Sequence, residues 1–167
     1  MSTVANTNPP APTSGASTLS RILDEGYGPG AWHGADMKAA LADVDPDLAF
    51  WRPAPERHNI AEIAIHHAYY VHSVRERLGG RPPGAFAFEG DDWFDLPGTA
   101  KSLTWPELRA IVEKEQQELA ALVNEIAAGR VRSGKTEKEH LDLILGITCH
   151  AVYHAGQIQL IKRLRAK

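Results

Sequence analysis

The stretch that decides the fold is Ile147-Thr148-Cys149-His150-Ala151-Val152-Tyr153-His154-Ala155-Gly156-Gln157-Ile158. His150 and His154 are four residues apart, about one helical turn, so both imidazoles can reach a single ion. Apolar residues around them recur in steps of three and four, which places both rings inside the predicted buried stripe. Two polar rings in a bundle interior need partners, either a metal ion or hydrogen bonds across the core. The short pattern alone leaves both interpretations open.

Length and charge limit the class of protein. A chain of 167 residues is most simply one domain that can bury a core without disulfides. The net charge of −3, without a basic block, argues against a nucleic-acid partner and against an anionic membrane surface. A single cysteine fits a reducing compartment, and no apolar run approaches a membrane span. The N-terminus lacks a signal-peptide pattern, so we expect a cytoplasmic protein.

Turn residues and capping boxes divide the chain into helices. Residues 1–17 have almost nothing to bury and are predicted to be a disordered tail, followed by a single domain over residues 18–167. Residues 48–58 hold two prolines and are predicted to be a loop. Three capping boxes mark the starts of long helices, at Asn59 to Glu62, Thr104 to Glu107 and Thr136 to Glu139. The predicted helices are Thr18 to Glu25, a segment through Met37, Leu41 and Val44 that stops near Pro46, 59 to 78, 104 to 129, and 136 to 167.

A long connection runs from Gly79 to Ser102 and contains the cluster Asp91-Asp92-Trp93-Phe94. A connection of this length is predicted to be a crossover that spans the bundle, with a lid as a second role. Four principal amphipathic helices, with this crossover between helices two and three, predict an all-α four-helix bundle. The short turn at 130–135 predicts that helices three and four are antiparallel neighbours.

A third metal ligand would have to come from another helix, and helix two offers His66, His67 and His72. On its apolar wheel His67 lies at the centre of the stripe and His66 toward the edge, so periodicity favours His67. His72 and His140 are predicted to lie at the surface. Cys149 lies about 100° around the helix from His150 and is predicted to be a small core residue.

One further histidine, His33, stands beside a glycine at a helix entry. It could face a site at the end of the bundle, or it could be a solvated or capping residue.

The chain resembles a known family in two segments. These are Asn59-Ile-Ala-Glu-Ile-Ala-Ile-His66 followed by Ala68-Tyr-Tyr, and His150-x3-His154-x-Gly-Gln-Ile. Both look like the DinB/YfiT-like four-helix-bundle metal proteins, which are unrelated to the DNA polymerase that shares the first name. The resemblance covers most of Ala31 to Leu164, including the Trp32-His33-Gly34 entry and the long connection.

The resemblance implies a ligand set. It maps the third ligand to His66 and marks His67 as a departure, because the family usually has an aliphatic residue there. The predicted metal ligands are therefore His66, His150 and His154, with His67 as the alternative to His66. Three neutral imidazoles leave an open coordination position, as in a catalytic site, and suit zinc or nickel without separating them.

The reaction is implied by the family alone. Its members include S-transferases and an isomerase that use low-molecular-weight thiols, and members described as putative metal-dependent hydrolases. We expect a metal-dependent enzyme, with thiol transfer ahead of hydrolysis, and a non-enzymatic stress-response metal protein as the alternative. Glu62 could accept a hydrogen bond from a ligand or act as a base, and Tyr70, Tyr153 and Gln157 are candidate polar groups near the metal. Ordinary helix packing is the competing explanation for each.

The start of the last helix predicts a partner. Residues 141 to 147 are apolar on nearly all sides of the helix. Such a segment is either central in the bundle or covered by a second subunit, and we expect a homodimer.

Overall fold

The computed structural model describes residues 17–28, 30–82, 84–90, 92–94, 96 and 103–166. Within these ranges the chain is helical and forms no strand. The helices, numbered in chain order, are α1 (Thr18–Tyr27), α2 (Met37–Leu41), α3 (Pro46–Phe50), α4 (Ile60–Leu78), α5 (Trp105–Ala127) and α6 (Glu137–Arg165). None of them is both long and apolar enough to cross a membrane.

The four longer helices form the bundle. Helix α4 packs against both α5 and α6, and α1 packs against α6 and α5. The predicted all-α four-helix bundle is confirmed, but α5 and α6 occupy opposite corners of it. The prediction that these two helices are neighbours is wrong. The segment between them, residues 128–136, is long enough to reach across the bundle.

Local sequence explains where the helices start. All three predicted capping boxes are present, at the N-termini of α4, α5 and α6. Asp45 accepts a hydrogen bond from the backbone N–H of Leu48 at 2.8 Å, and Pro46 fills the first turn of α3. The loop predicted over residues 48–58 therefore begins with the end of a short helix.

The predicted tail lies outside the described residues except for Ser17. The Ser17 hydroxyl accepts a hydrogen bond from the backbone N–H of Ser20 at 3.1 Å and caps α1. Ser17 therefore belongs structurally to the first helix.

The long connection after α4 is anchored by aromatic residues. Phe94 is buried and lies against Phe86, Phe88 and Tyr69, with ring centroids 5.6 to 5.7 Å apart. Tyr69 belongs to α4, so the described part of the connection packs back onto that helix. Residues 97–102 of the predicted crossover lie outside the described residues.

Two surface and core predictions are wrong. His72 was predicted to lie at the surface, but it is buried. Its ring nitrogens have partners there: Nδ1 lies 3.3 Å from Glu115 of α5, and Nε2 lies 3.2 Å from the carbonyl oxygen of Gly84. Arg75 adds ion pairs to Glu115 at 3.1 Å and to Glu118 at 2.8 Å. These charged partners compensate the burial of a histidine that the hydrophobic pattern alone places at the surface.

Cys149 is exposed rather than buried in the core. It lies on a face of α6 that carries exposed large apolar side chains along most of the helix. We call this face the α6 stripe, and its large members are Leu141, Leu145, Tyr153, Leu160 and Leu164. His140, half-buried at the same end of α6 as Leu141, bonds to the Ser133 hydroxyl.

Candidate metal centre

The packing of α4 against α6 brings three histidines together. One ring nitrogen of each of His66, His150 and His154 lies within 4.8 Å of the others. The Nε2 atom of His150 is 3.2 Å from Nε2 of His66 and 3.2 Å from Nε2 of His154. Two nitrogens bound to one zinc ion in tetrahedral geometry are about 3.3 Å apart, given Zn–N distances of about 2.0–2.1 Å. Two of the three nitrogen–nitrogen separations therefore match those of ligands on a single ion.

The outer nitrogens of two of these rings are held by oxygen acceptors. His66 Nδ1 donates to the backbone carbonyl of Asp92 at 2.8 Å, and His154 Nδ1 donates to Oε1 of Gln157 at 2.6 Å. A proton on Nδ1 leaves the lone pair of a neutral imidazole on Nε2. Both rings thus present lone pairs toward the centre, which is how a hydrogen-bonded outer shell orients metal-binding histidines.

His67 lies behind the centre and does not contribute a ring nitrogen to it. Its Nδ1 is 3.3 Å from Nδ1 of His150, the outer nitrogen of that ring. His67 is 1 % exposed, so periodicity correctly predicted that it lies deeper than His66. The group of three that could hold a metal contains His66, as the resemblance implied.

Burial keeps these rings neutral. Removal from water, reinforced by the charges of His154 and His66, lowers the pKa of His150 to about 3. Burial likewise lowers the pKa of His154 to about 4, and lowers the pKa values of His66 and His67 below the ordinary value. At neutral pH the lone pairs are therefore not lost to protons.

The long connection covers one side of the centre. The Trp93 ring stacks on His66 with centroids 3.9 Å apart and on His58 with centroids 3.6 Å apart. Asp92, which also accepts a hydrogen bond from Tyr70 Oη at 3.1 Å, has a positive φ of 65°. Sequence reasoning did not select Asp92 or Trp93, although the cluster 91–94 was a signal that the connection carries site residues.

The predicted polar candidates have different positions. The Tyr70 ring lies 4.8 Å from that of His150 and 5.0 Å from that of His66. Tyr153 is 64 % exposed, and its hydroxyl accepts from Gln157 Nε2 at 3.1 Å. Both phenols therefore lie at the edge of the centre. Gln157 makes a direct hydrogen bond to the candidate ligand His154.

Glu62 and His33 have other roles. The buried Glu62 carboxylate accepts from Arg52, from His58 Nδ1 at 3.1 Å and from the backbone N–H of Asn59 at 3.3 Å. It therefore fixes the start of α4, and its partner His58 stacks on Trp93, which in turn stacks on His66. His33 is exposed and bonds the carbonyl oxygen of Glu25 at 2.8 Å, so it is not part of the centre.

The fold and the histidine centre define a helical-bundle protein with a candidate metal site. A family model described as the DinB superfamily matches residues 31–158. The chain therefore belongs to the DinB superfamily. Comparison with curated proteins and with solved structures gave no match.

The lowered histidine pKa values predict acid sensitivity of the metal-free protein. Unfolded histidines bind protons below about pH 6.5, whereas His150 and His154 in the folded state resist protonation down to about pH 3 and 4. The unfolded state then binds more protons, so the free energy of unfolding should fall as pH decreases from about 6.5 to about 4. Urea denaturation at pH 7 and pH 5 measures this. A His150→Leu variant should show a shallower decrease, and an unchanged slope would contradict the prediction.

Proposed function

We propose that this chain binds one divalent metal ion through His66, His150 and His154 and acts as a metal-dependent enzyme. The first proposed reaction is the transfer of a low-molecular-weight thiol to an electrophilic substrate, in a reducing cytoplasm. The observation that carries the proposal is the convergence of three neutral imidazoles, since three protein ligands leave a coordination position for a substrate. Zinc and nickel are the proposed metals, because imidazole suits both.

The chemistry needs only that open position and a substrate pocket. A divalent ion bound there would lower the pKa of a thiol, or of a water molecule, that reaches it. The protein's own part is to hold the rings through Asp92 and Gln157, and to shield His66 from water with the Trp93 ring.

A groove of about 390 Å³ beside α4 and α6 supports a thiol with an acidic group. His150 and Tyr70 line it, and its volume is within the range of small-ligand sites. Its charged lining residues are two cations and two carboxylates, Arg77, Lys135, Glu139 and Asp142, of which Lys135 pairs with Glu139 at 3.8 Å. Within the described part of the chain, the exposed Arg77 guanidinium has no ion-pair partner. Tyr70 and Arg77 are seven residues apart on α4, about 10 Å along the helix. If the carboxylate of a ligand paired with Arg77, a thiol about 10 Å away on the same ligand would lie near His150.

The α6 stripe supports a homodimer as the proposed assembly. Leu145 is 48 % exposed and Leu160 is 58 % exposed on the longest helix of the bundle. Apolar side chains aligned along a helix face usually mark an interface, and a self-complementary face suits a two-fold dimer.

The ligand assignment predicts that replacing His66, His150 or His154 with Ala lowers metal occupancy strongly, because two imidazoles hold a divalent ion far more weakly than three. Occupancy is measured by elemental analysis of protein purified without a histidine tag. His140→Ala is the matched control, since it removes a histidine of α6 outside the centre and should keep the metal. Full occupancy in the His66→Ala variant would contradict the assignment.

The thiol prediction is tested with cobalt-substituted protein. Addition of a small thiol should produce thiolate-to-cobalt charge-transfer absorption, because an anionic soft donor suits the open position of a cationic site. Metal removal should abolish transferase activity toward an electrophile while the helical circular dichroism persists. Ester or amide cleavage without any response to thiols would favour the hydrolase. Absence of both would favour a non-enzymatic stress-response protein.

The assembly prediction is that the wild-type protein sediments as a dimer at micromolar concentration. Leu145→Glu should give a monomer, because it places a charge in the apolar stripe. Gln117→Glu, on an exposed position of α5, should remain dimeric. A monomeric wild-type protein would refute the proposed interface.

A further inference from the structure

His67 is a polar ring in the most buried part of α4. Its side chain is 1 % exposed and stacks near the His150 ring, with centroids 5.6 Å apart. Among the described residues its Nε2 atom has no hydrogen-bond partner. An imidazole half-satisfied in the core destabilises the fold relative to an aliphatic side chain. Among the described residues the His67 ring has one hydrogen bond, between its Nδ1 and Nδ1 of His150 at 3.3 Å. A polar ring retained at this position for one bond needs a functional explanation.

The proton in this hydrogen bond can be placed by elimination. A bond between two ring nitrogens requires a proton on one and a lone pair on the other. If His150 is to offer its Nε2 lone pair to a metal, its own proton must be on Nδ1. His150 Nδ1–H then donates to His67 Nδ1, and the proton of His67 lies on Nε2.

We infer that His67 is a positioning residue, which accepts the Nδ1–H of His150 and fixes that ring for metal binding. The inference rests on the metal site proposed above. His67 completes a set in which each candidate ligand donates its outer N–H to a different acceptor. Asp92 O accepts from His66, Gln157 Oε1 accepts from His154, and His67 Nδ1 accepts from His150.

The surroundings of His67 explain why the arrangement costs stability. The cavity beside the ring is bounded by Tyr27, Gln116 and Thr148 and has no room for a water molecule. His67 Nε2 therefore has neither a hydrogen-bond partner among the described residues nor room for a water molecule beside it. If this position only filled volume, Leu would stabilise the fold more than His does. Accepting a hydrogen bond from His150 requires a polar side chain, so packing and positioning favour different residues at this position.

Two substitutions separate these roles. His67→Leu fills the space but removes the acceptor, while His67→Asn is smaller and places an amide oxygen close to the position of Nδ1. Competition titration of zinc against a chromophoric chelator measures the affinity. We expect His67→Leu to bind zinc about 10 to 100-fold more weakly, and His67→Asn to stay within a few-fold of wild type. Metal-free His67→Leu should nevertheless be at least as stable to urea as metal-free His67→Asn.

The reverse order would overturn the inference: wild-type affinity in His67→Leu and weaker binding in His67→Asn. His140→Leu controls for the loss of a histidine elsewhere and should leave the affinity unchanged. Nitrogen-15 spectra of the zinc-loaded wild-type protein should show His67 protonated on Nε2 and His150 on Nδ1. A wild-type protein that binds no zinc would overturn the metal proposal itself, whereas equal affinities of wild type and His67→Leu would overturn only the role of His67.

Discussion

The direct contact between α4 and α6 is the interaction on which the centre depends. His66 comes from one helix and His150 and His154 from the other, so any arrangement that separated the two helices would leave at most two imidazoles together. In the observed order, α4 lies between α5 and α6 and contacts both. The centre is thus a consequence of how the four helices are ordered around the core.

Helix α4 carries two buried polar groups that are stabilised in different ways. Burial keeps the His66 and His67 rings neutral, and each Nδ1 atom has a hydrogen-bond partner, whereas His67 Nε2 has none among the described residues. Around His72 the burial is compensated by charge, with Arg75 between the carboxylates of Glu115 and Glu118. The Arg75 guanidinium lies 3.0 Å from His72 Nδ1 and occupies the lone pair of that atom. The Nε2 lone pairs of His66 and His154 have no such cationic partner among the described residues. The two clusters therefore cannot exchange roles, although each contains a buried histidine.

The sequence predicted what is encoded locally and missed what depends on helix order. Capping boxes and apolar periodicity located α4, α5 and α6, because caps and stripes are properties of one segment. The burial of His72 depends on Glu115, which is 43 residues away on another helix. The exposure of Cys149 depends on which side of α6 the other described helices leave uncovered. Asp92 and Trp93 reach the centre through a connection whose path has no periodic signal.

Access to the centre bears on which reaction the site can support. Trp93 covers His66, so a substrate must approach from elsewhere. The groove at His150 and Tyr70 carries two cations and two carboxylates, Arg77, Lys135, Glu139 and Asp142. A second groove of about 460 Å³ borders Trp93 and Gln157, and both apolar residues and the polar residues Glu56, Arg57 and His58 line it. Leu160 and Leu164 of the α6 stripe also line this groove, so the proposed dimer would have to leave that end of the stripe uncovered. Hydrolysis needs a place for one substrate besides water, whereas transfer needs places for a donor and an acceptor. Under the proposed function, two grooves that border residues of the centre would give a thiol donor and an electrophilic acceptor separate places.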